Sequence, residues 1–259
     1  MKKIFSLFLV YILFCTTVFA KDLRFVQIDS VRYSKKHNSE TLQKVINNVN
    51  KQKDVDFVVF TGDNIDKPDP EILKDFLSEA KKLRKPFYIV IGDKDVNKHK
   101  DLGKKDYQKL VRKKVSNIKA KETNYTFEKN GVVFLVADGA KDVIPGTNGY
   151  YKDDVVEWVD ANLDLYNNKN VVILQHFPLI PPEENESYVT FKPQKYIEVI
   201  QKHNNVKAVI SGHFSVNKEE TVNGIIHIST APAPYYRIID ILDCTSKNPS
   251  IWAEVVEVK

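Results

Sequence analysis

The sequence predicts an α+β sandwich, with parallel strand pairing early in the chain and antiparallel pairing late. Three observations carry this. The first third alternates short apolar runs with stretches of helical spacing, the β-α-β-α-β order that builds a parallel sheet with crossover helices. The stretch from Glu220 onward is rich in strand-forming residues. Four of the apolar runs stop at an Asp or a His, and open α/β sheets present ligands beyond the carboxyl ends of their strands.

Each element follows from local pattern. Leu23 to Asp29 reads as a strand. Glu40 to Lys51 reads as a helix, with Leu42, Val45, Ile46 and Val49 on one face. Asp56 to Phe60 is a strand. Pro70 to Leu83 is a helix that Asp69 caps and Pro70 opens, since proline lacks only an N–H that the first turn does not use. Pro86 to Ile91 is a strand and Tyr107 to Val115 a helix. Tyr125 to Glu128 and Val132 to Ala137 flank Asn130-Gly131, a pair that accepts the positive φ of a tight hairpin. Asp153 to Tyr166 has helical period through Val155, Val156, Trp158, Val159 and Leu163. Val171 to Leu174 is a strand, Pro193 to His203 a helix, and Val206 to Ile210 a strand. Gly224 to Ser229, Tyr236 to Ile241 and Ile251 to Val258 complete the strands.

The polar residues at four strand ends are the candidate site. Phe57–Phe60 runs into Gly62-Asp63, Phe87–Ile91 into Gly92-Asp93-Lys94-Asp95, Val171–Leu174 into Gln175-His176, and Val206–Ile210 into Gly212-His213. Asp63, Asp93, His176 and His213 form a donor set suited to one divalent cation of the zinc, iron or manganese kind. Each also has a plainer reading. The histidines could be buried structural residues, and the aspartates could cap turns. The sequence has no Gly-x-Ser-x-Gly elbow, P-loop, Gly-x-Gly-x-x-Gly or Cys-x-x-Cys.

Residues 1–20 are expected to be a secretory signal peptide. Met1-Lys2-Lys3 is positive, Ile4–Thr17 is apolar, and Val18-Phe19-Ala20 is an A-x-A-like cleavage site. Residues 21–259 would then form one exported domain, periplasmic or extracellular, with no stable membrane span. Its single remaining thiol, Cys244, rules out an internal disulfide. The net charge of +5 falls by two when Lys2 and Lys3 leave. The basic run between Lys98 and Lys121 is read as a solvated helix face. Tyr107 alone does not make the interleaved aromatic set that stacking on nucleic acid would need, so nucleic acid is not an expected partner.

Taken in order, the strand ends resemble those of the calcineurin-like metallophosphoesterases. That family carries Asp-x-His, Gly-Asp, Gly-Asn-His-Asp/Glu, a lone His and Gly-His-x-His. The resemblance spans nearly the whole chain after residue 20 and implies an α/β/β/α sandwich: two packed mixed β-sheets flanked by helices. It also implies a two-metal centre that hydrolyses phosphate esters. One metal would use Asp63, Asp93 (Asn in the family), His176 and His213. The other lacks its ligands. A gapless alignment puts Ser30 and Arg32 at the Asp-x-His positions, a shift by one gives Asp29 and Val31, and Ser215 replaces the last His. Lys94 stands where the family has a histidine that protonates the leaving group. The expectation is therefore one ion rather than two, with Arg32 in the space of the missing ion and Arg32 and Lys94 stabilising charge on the phosphoryl group. The expected substrate is a phosphorylated small molecule or a phosphodiester. The rival expectation is a binding or interaction protein that keeps the fold without catalysis.

Overall fold

The computed structural model describes residues 22–185 and 188–259, so the signal-peptide expectation lies outside the described residues. The architecture is an α+β sandwich of two mixed sheets flanked by helices. The first sheet has the order β11-β10-β1-β2-β3, from Ser250–Glu257, Tyr235–Leu242, Leu23–Ile28, Phe57–Phe60 and Phe87–Ile89. The second has the order β4-β5-β6-β7-β9-β8, from Tyr125–Lys129, Val132–Ala137, Val171–Gln175, Val206–Ser211, Ile225–Ser229 and Lys218–Val222. Helices α1 (Ser39–Val49) and α2 (Pro70–Ala80) cover the outer face of the first sheet, with α3 (Lys104–Lys114) beside α2. Helix α4 (Asp153–Leu165) packs over β5, with α5 (Gln194–Lys202) next to it.

The pairing differs from the early-parallel, late-antiparallel expectation. Each sheet mixes the two modes: β1-β2-β3 and β5-β6-β7-β9 are parallel, β10 and β11 add antiparallel strands on one side of the first sheet, and β4 and β8 form antiparallel rims on the second. The parallel strands are buried on both faces, as helix-covered sheets must be. Smaller differences have local causes. Helix α3 starts at Lys104, one turn before the expected Tyr107, because its first turn is charged and carries no apolar period. Asp69 caps α2 by accepting from the N–H groups of Glu71 (2.9 Å) and Ile72 (3.2 Å). Asn130 and Gly131 both adopt positive φ, 49° and 87°, in the β4–β5 turn.

Aromatic rings lock the sheets together. Phe25 and Phe57 of the first sheet stack at 4.8 Å, Phe127 and Phe134 of the second stack at 4.9 Å, and Phe57 meets Phe134 edge-on at 5.1 Å. Moving toward the carboxyl ends, the inward positions change character. Along β1 they run Phe25, Gln27 and then Asp29, and along β2 they run Phe57, Val59 and then Thr61. The apolar filling thus gives way to a polar layer between the sheets, directly beneath the loops that hold the candidate site.

Candidate metal centre

The structure brings the four strand-end residues together. Asp93 Oδ1 lies 3.4 Å from His176 Nε2 and 3.3 Å from His213 Nδ1, and the two imidazole nitrogens are 3.2 Å apart. Donor atoms about 2.1 Å from a tetrahedral ion lie about 3.4 Å from one another, so this triangle has the dimensions of a metal face. Asp63 Oδ1 is 3.5 Å from His176 Nε2 and stands beside this triangle rather than inside it; the donor atoms that lie mutually within 4.8 Å are those of Asp93, His176 and His213. Asp93 Oδ1 and His213 Nε2 are buried atoms without a hydrogen-bond partner. An orphaned carboxylate oxygen facing two imidazoles fits a cation.

Close backbone approach makes this convergence possible. Gly62 has φ 106°, and a Cβ there would lie 2.4 Å from His176 Nδ1. A Cβ on Gly212 would lie 1.7 Å from Asp29 Oδ1. The glycines before Asp63 and His213 are therefore packing requirements. Asp63 and His213 themselves hold positive φ, 49° and 70°, a conformation that costs non-glycine residues energy and clusters at functional sites.

The groups behind the site orient it. His176 Nδ1 is 2.7 Å from the Thr61 carbonyl, so it donates there and leaves Nε2 as the free donor atom toward Asp63 and Asp93. Asp95, fully buried, accepts from the N–H groups of Gly92 (2.8 Å), Asn64 (2.8 Å) and Ile65 (3.0 Å) and from the Asn64 side chain (2.9 Å). It ties the Asp63 loop to the Asp93 loop. Burial, with Asp63 nearby, pushes its carboxyl up to about 7. Burial raises the Asp63 carboxyl, reinforced by Asp93 and opposed by His176. Burial pushes the Asp93 carboxyl up as well, but the His176 and His213 imidazoles that face it outweigh burial and bring the group well below the usual range. Burial alone would lower His176, yet Asp63, Asp29 and Asp93 together raise it well above the ordinary imidazole value. Without a cation, a proton on His176 offsets the carboxylate charge.

Arg32 and Lys94 reach the site differently. Arg32, itself at φ 47°, places Nε 3.4 Å from Asp63 Oδ2 with its side chain about one-third exposed (36%). Lys94 enters through its backbone, donating N–H to Asp63 Oδ1 at 3.0 Å. Among the described residues its ammonium has no ion-pair partner. Ser30 Oγ is buried without a partner, and Ser215 is exposed at φ 60°. A cavity of about 240 Å³ opens over His213 and is bordered by Arg32, Tyr188, Phe214 and Ser215. Tyr188 packs on the His213 ring at 5.2 Å.

Sequence reading missed Asp95, Thr61 and Asn64 as organisers of the site. Their position inside the Thr-Gly-Asp-Asn and Gly-Asp-Lys-Asp turns was the available signal. Asp29 was weighed as a ligand, but the structure turns it behind the histidines. Its carboxylate accepts from Thr61 Oγ1 (2.8 Å) and from the His213 N–H (3.2 Å).

Residues 29–216 match the family model described as calcineurin-like phosphoesterase. A protein from Arcobacter nitrofigilis named "Probable glycerophosphodiester phosphodiesterase GpdQ" is 24% identical over 219 residues, covering 80% of this chain and 73% of that protein. A dimetal phosphatase from Danio rerio shares the fold with a TM-score of 0.64 and 14% identity, over 92% of this chain and 99% of that one. GAP50 of Plasmodium, titled as the anchor in the inner membrane complex, does so with a TM-score of 0.55 and 15% identity, over 92% and 89%. With the family model spanning most of the sequence and the two-sheet architecture matching, this chain belongs to the calcineurin-like phosphoesterase family.

Proposed function

We propose that this protein is an exported phosphoesterase that works with one divalent ion, manganese, iron or zinc. The observation that carries the reading is the triangle of Asp93 Oδ1, His176 Nε2 and His213 Nδ1, with edges of 3.2–3.4 Å. Asp63 flanks the set next to His176, and the Thr61 carbonyl fixes the His176 tautomer that a cation needs. Bound there, the ion would supply Lewis acidity toward a phosphoryl oxygen and activate water as a nucleophile.

The remaining roles fall to the chain. Arg32, beside Asp63 and open to the 240 Å³ cavity, offers a guanidinium fork to two phosphoryl oxygens. It provides fixed positive charge where a second cation would otherwise stand. Asp63 keeps that guanidinium at the mouth of the site. The Lys94 ammonium adds positive charge at the same loop but stands where the family has the imidazole that protonates the leaving group. Esters with good leaving groups are therefore favoured. The substrate class is a phosphorylated small molecule or a phosphodiester, and the similarity to a protein named as a glycerophosphodiester phosphodiesterase supports the second. Export rests on the positive, apolar and small-residue pattern of residues 1–20. Among the described residues no helix is long and apolar enough to cross a membrane.

The test is hydrolysis of aryl phosphates and phosphodiesters by the metal-loaded protein, compared with Asp63→Ala. Activity in the wild type that is lost in the variant supports the proposal. Equal rates leave the rival reading, a binding protein on this fold. Arg32 and Ser215 favour that rival, because each replaces a donor that two-ion catalysis would use.

A further inference from the structure

The polar layer beneath the site is a hydrogen-bond chain with a fixed direction. Arg237 of β10, fully buried, donates from Nε to Thr230 Oγ1 at 3.1 Å. A guanidinium only donates, so the Thr230 hydroxyl passes its own proton on, to Gln27 Oε1 at 2.6 Å. The Gln27 amide donates to Thr61 Oγ1 at 3.1 Å and to the Ser211 carbonyl at 2.8 Å. Thr61 Oγ1 donates to Asp29 Oδ1 at 2.8 Å. A carboxylate can end such a chain because it only accepts. The chain crosses between the sheets, since Gln27, Thr61 and Arg237 belong to one and Ser211 and Thr230 to the other.

Asp29 is the terminus, and its surroundings commit it to two histidines. It is fully buried, it accepts the His213 N–H at 3.2 Å, and its Oδ1 lies 3.7 Å from His176 Nδ1. Gly212 presses on the same carboxylate. We propose that Asp29 is a positioning residue, not a ligand: it aims His176 through the ring edge facing away from the cation and His213 through its backbone, and the donor chain from Arg237 holds Asp29 in place. This rests on the metal-centre reading above. Partners of this kind, behind metal-binding histidines, typically contribute about 10–100-fold to affinity.

The experiment is titration of the metal-free full chain with Co²⁺, following its visible absorption. Asp29→Asn keeps the size but turns one acceptor oxygen into a donor, which must face either the Thr61 hydroxyl or the His213 N–H. The expected result is Co²⁺ binding weakened by about 10–100-fold with an altered spectrum. Thr61→Val removes the hydroxyl that anchors Asp29 and leaves the Thr61 carbonyl in place; affinity should fall by about tenfold. Thr61→Ser restores the hydroxyl and should restore binding. The Thr61 pair decides the matter if Asp29→Asn does not fold. Wild-type affinity in Asp29→Asn or Thr61→Val would overturn the proposal, as would a Thr61→Ser protein as weak as Thr61→Val. A wild-type protein that binds no Co²⁺ would overturn the metal-centre reading as well. Binding by the wild type with no change in the variants would overturn this inference alone.

Discussion

The two halves of the site are built to different standards. On one side buried His176 and His213 and half-buried Asp93 lie mutually within 3.2–3.4 Å, backed by the Thr61 carbonyl and the Asp29 carboxylate. On the other side stand Arg32, about one-third exposed (36%), Ser30 with an unpartnered hydroxyl, and exposed Ser215. Asp63 lies between them, 3.5 Å from His176 and 3.4 Å from Arg32. The difference teaches that a converging donor cluster is held firmly where its support is internal to the fold. The histidine half is braced by the polar layer between the sheets, and Ser30 and Arg32 by backbone hydrogen bonds to Gly62 and Asp63.

The largest expected effect breaks the braced half. His176→Ala should lower divalent-metal affinity by more than the roughly 10–100-fold attached to supporting groups, measured by metal titration. Next, Gly212→Ala would place a Cβ 1.7 Å from Asp29 Oδ1. Relief requires Asp29 or the His213 loop to move, and the expected cost is about 1–3 kcal/mol of stability, as for other overpacked sites, together with reduced metal binding. Thermal unfolding of the metal-free variant checks the first part.

Proton competition sharpens the comparison further. The His176 pKa is raised by Asp63, Asp29 and Asp93 against the opposing effect of burial. Its contribution to the stability of the metal-free protein is fully present below the ordinary imidazole value, about 6.5, and is lost as pH rises through the raised value. A cation displaces that proton. Metal affinity should therefore climb with pH across the same window, by up to about tenfold per unit for one proton released. Titrations at several pH values measure the slope. A flat profile would mean that His176 carries no proton in the metal-free protein.

The arginine half should respond in rate without metal loss. Arg32→Ala is expected to lower kcat/KM on phosphodiesters by about 10–100-fold, roughly 1.4–2.7 kcal/mol, with metal content unchanged. Loss of the ion in that variant would join the two halves that the geometry separates. The smallest expected effect is at Lys94. Lys94→His should speed hydrolysis of alkyl phosphates modestly more than aryl phosphates, a small part of the roughly 10²–10⁴-fold that a placed general acid can supply.

The fold and the four converging residues were legible because each depends on local pattern. A run such as Val171–Leu174 is apolar on both faces and ends abruptly at a turn, so His176 announces itself. Elements governed by tertiary contact were less legible. Strand β8, Lys218–Val222, is a charged edge strand whose exposed and half-buried residues alternate with little apolar signal, and only pairing with β9 makes it a strand. Gln27 sits mid-strand among Phe25, Val26 and Ile28, and nothing local shows that it links Thr61, Ser211 and Thr230 across the sheets. Asp29 was ambiguous for the same reason. Its sequence position matches a ligand motif shifted by one residue, while its direction is set by Thr61 and Gly212, 32 residues and 183 residues away in the chain.

The central claim is a one-cation centre, and its most direct measurement is the metal content of the full chain after loading with Mn²⁺ or Zn²⁺ and desalting. The account predicts about one tightly held ion per chain, because Asp93, His176 and His213 form one donor triangle with Asp63 beside it, and Arg32, Ser30 and Ser215 offer no second. Two tightly held ions per chain, or none, would contradict it.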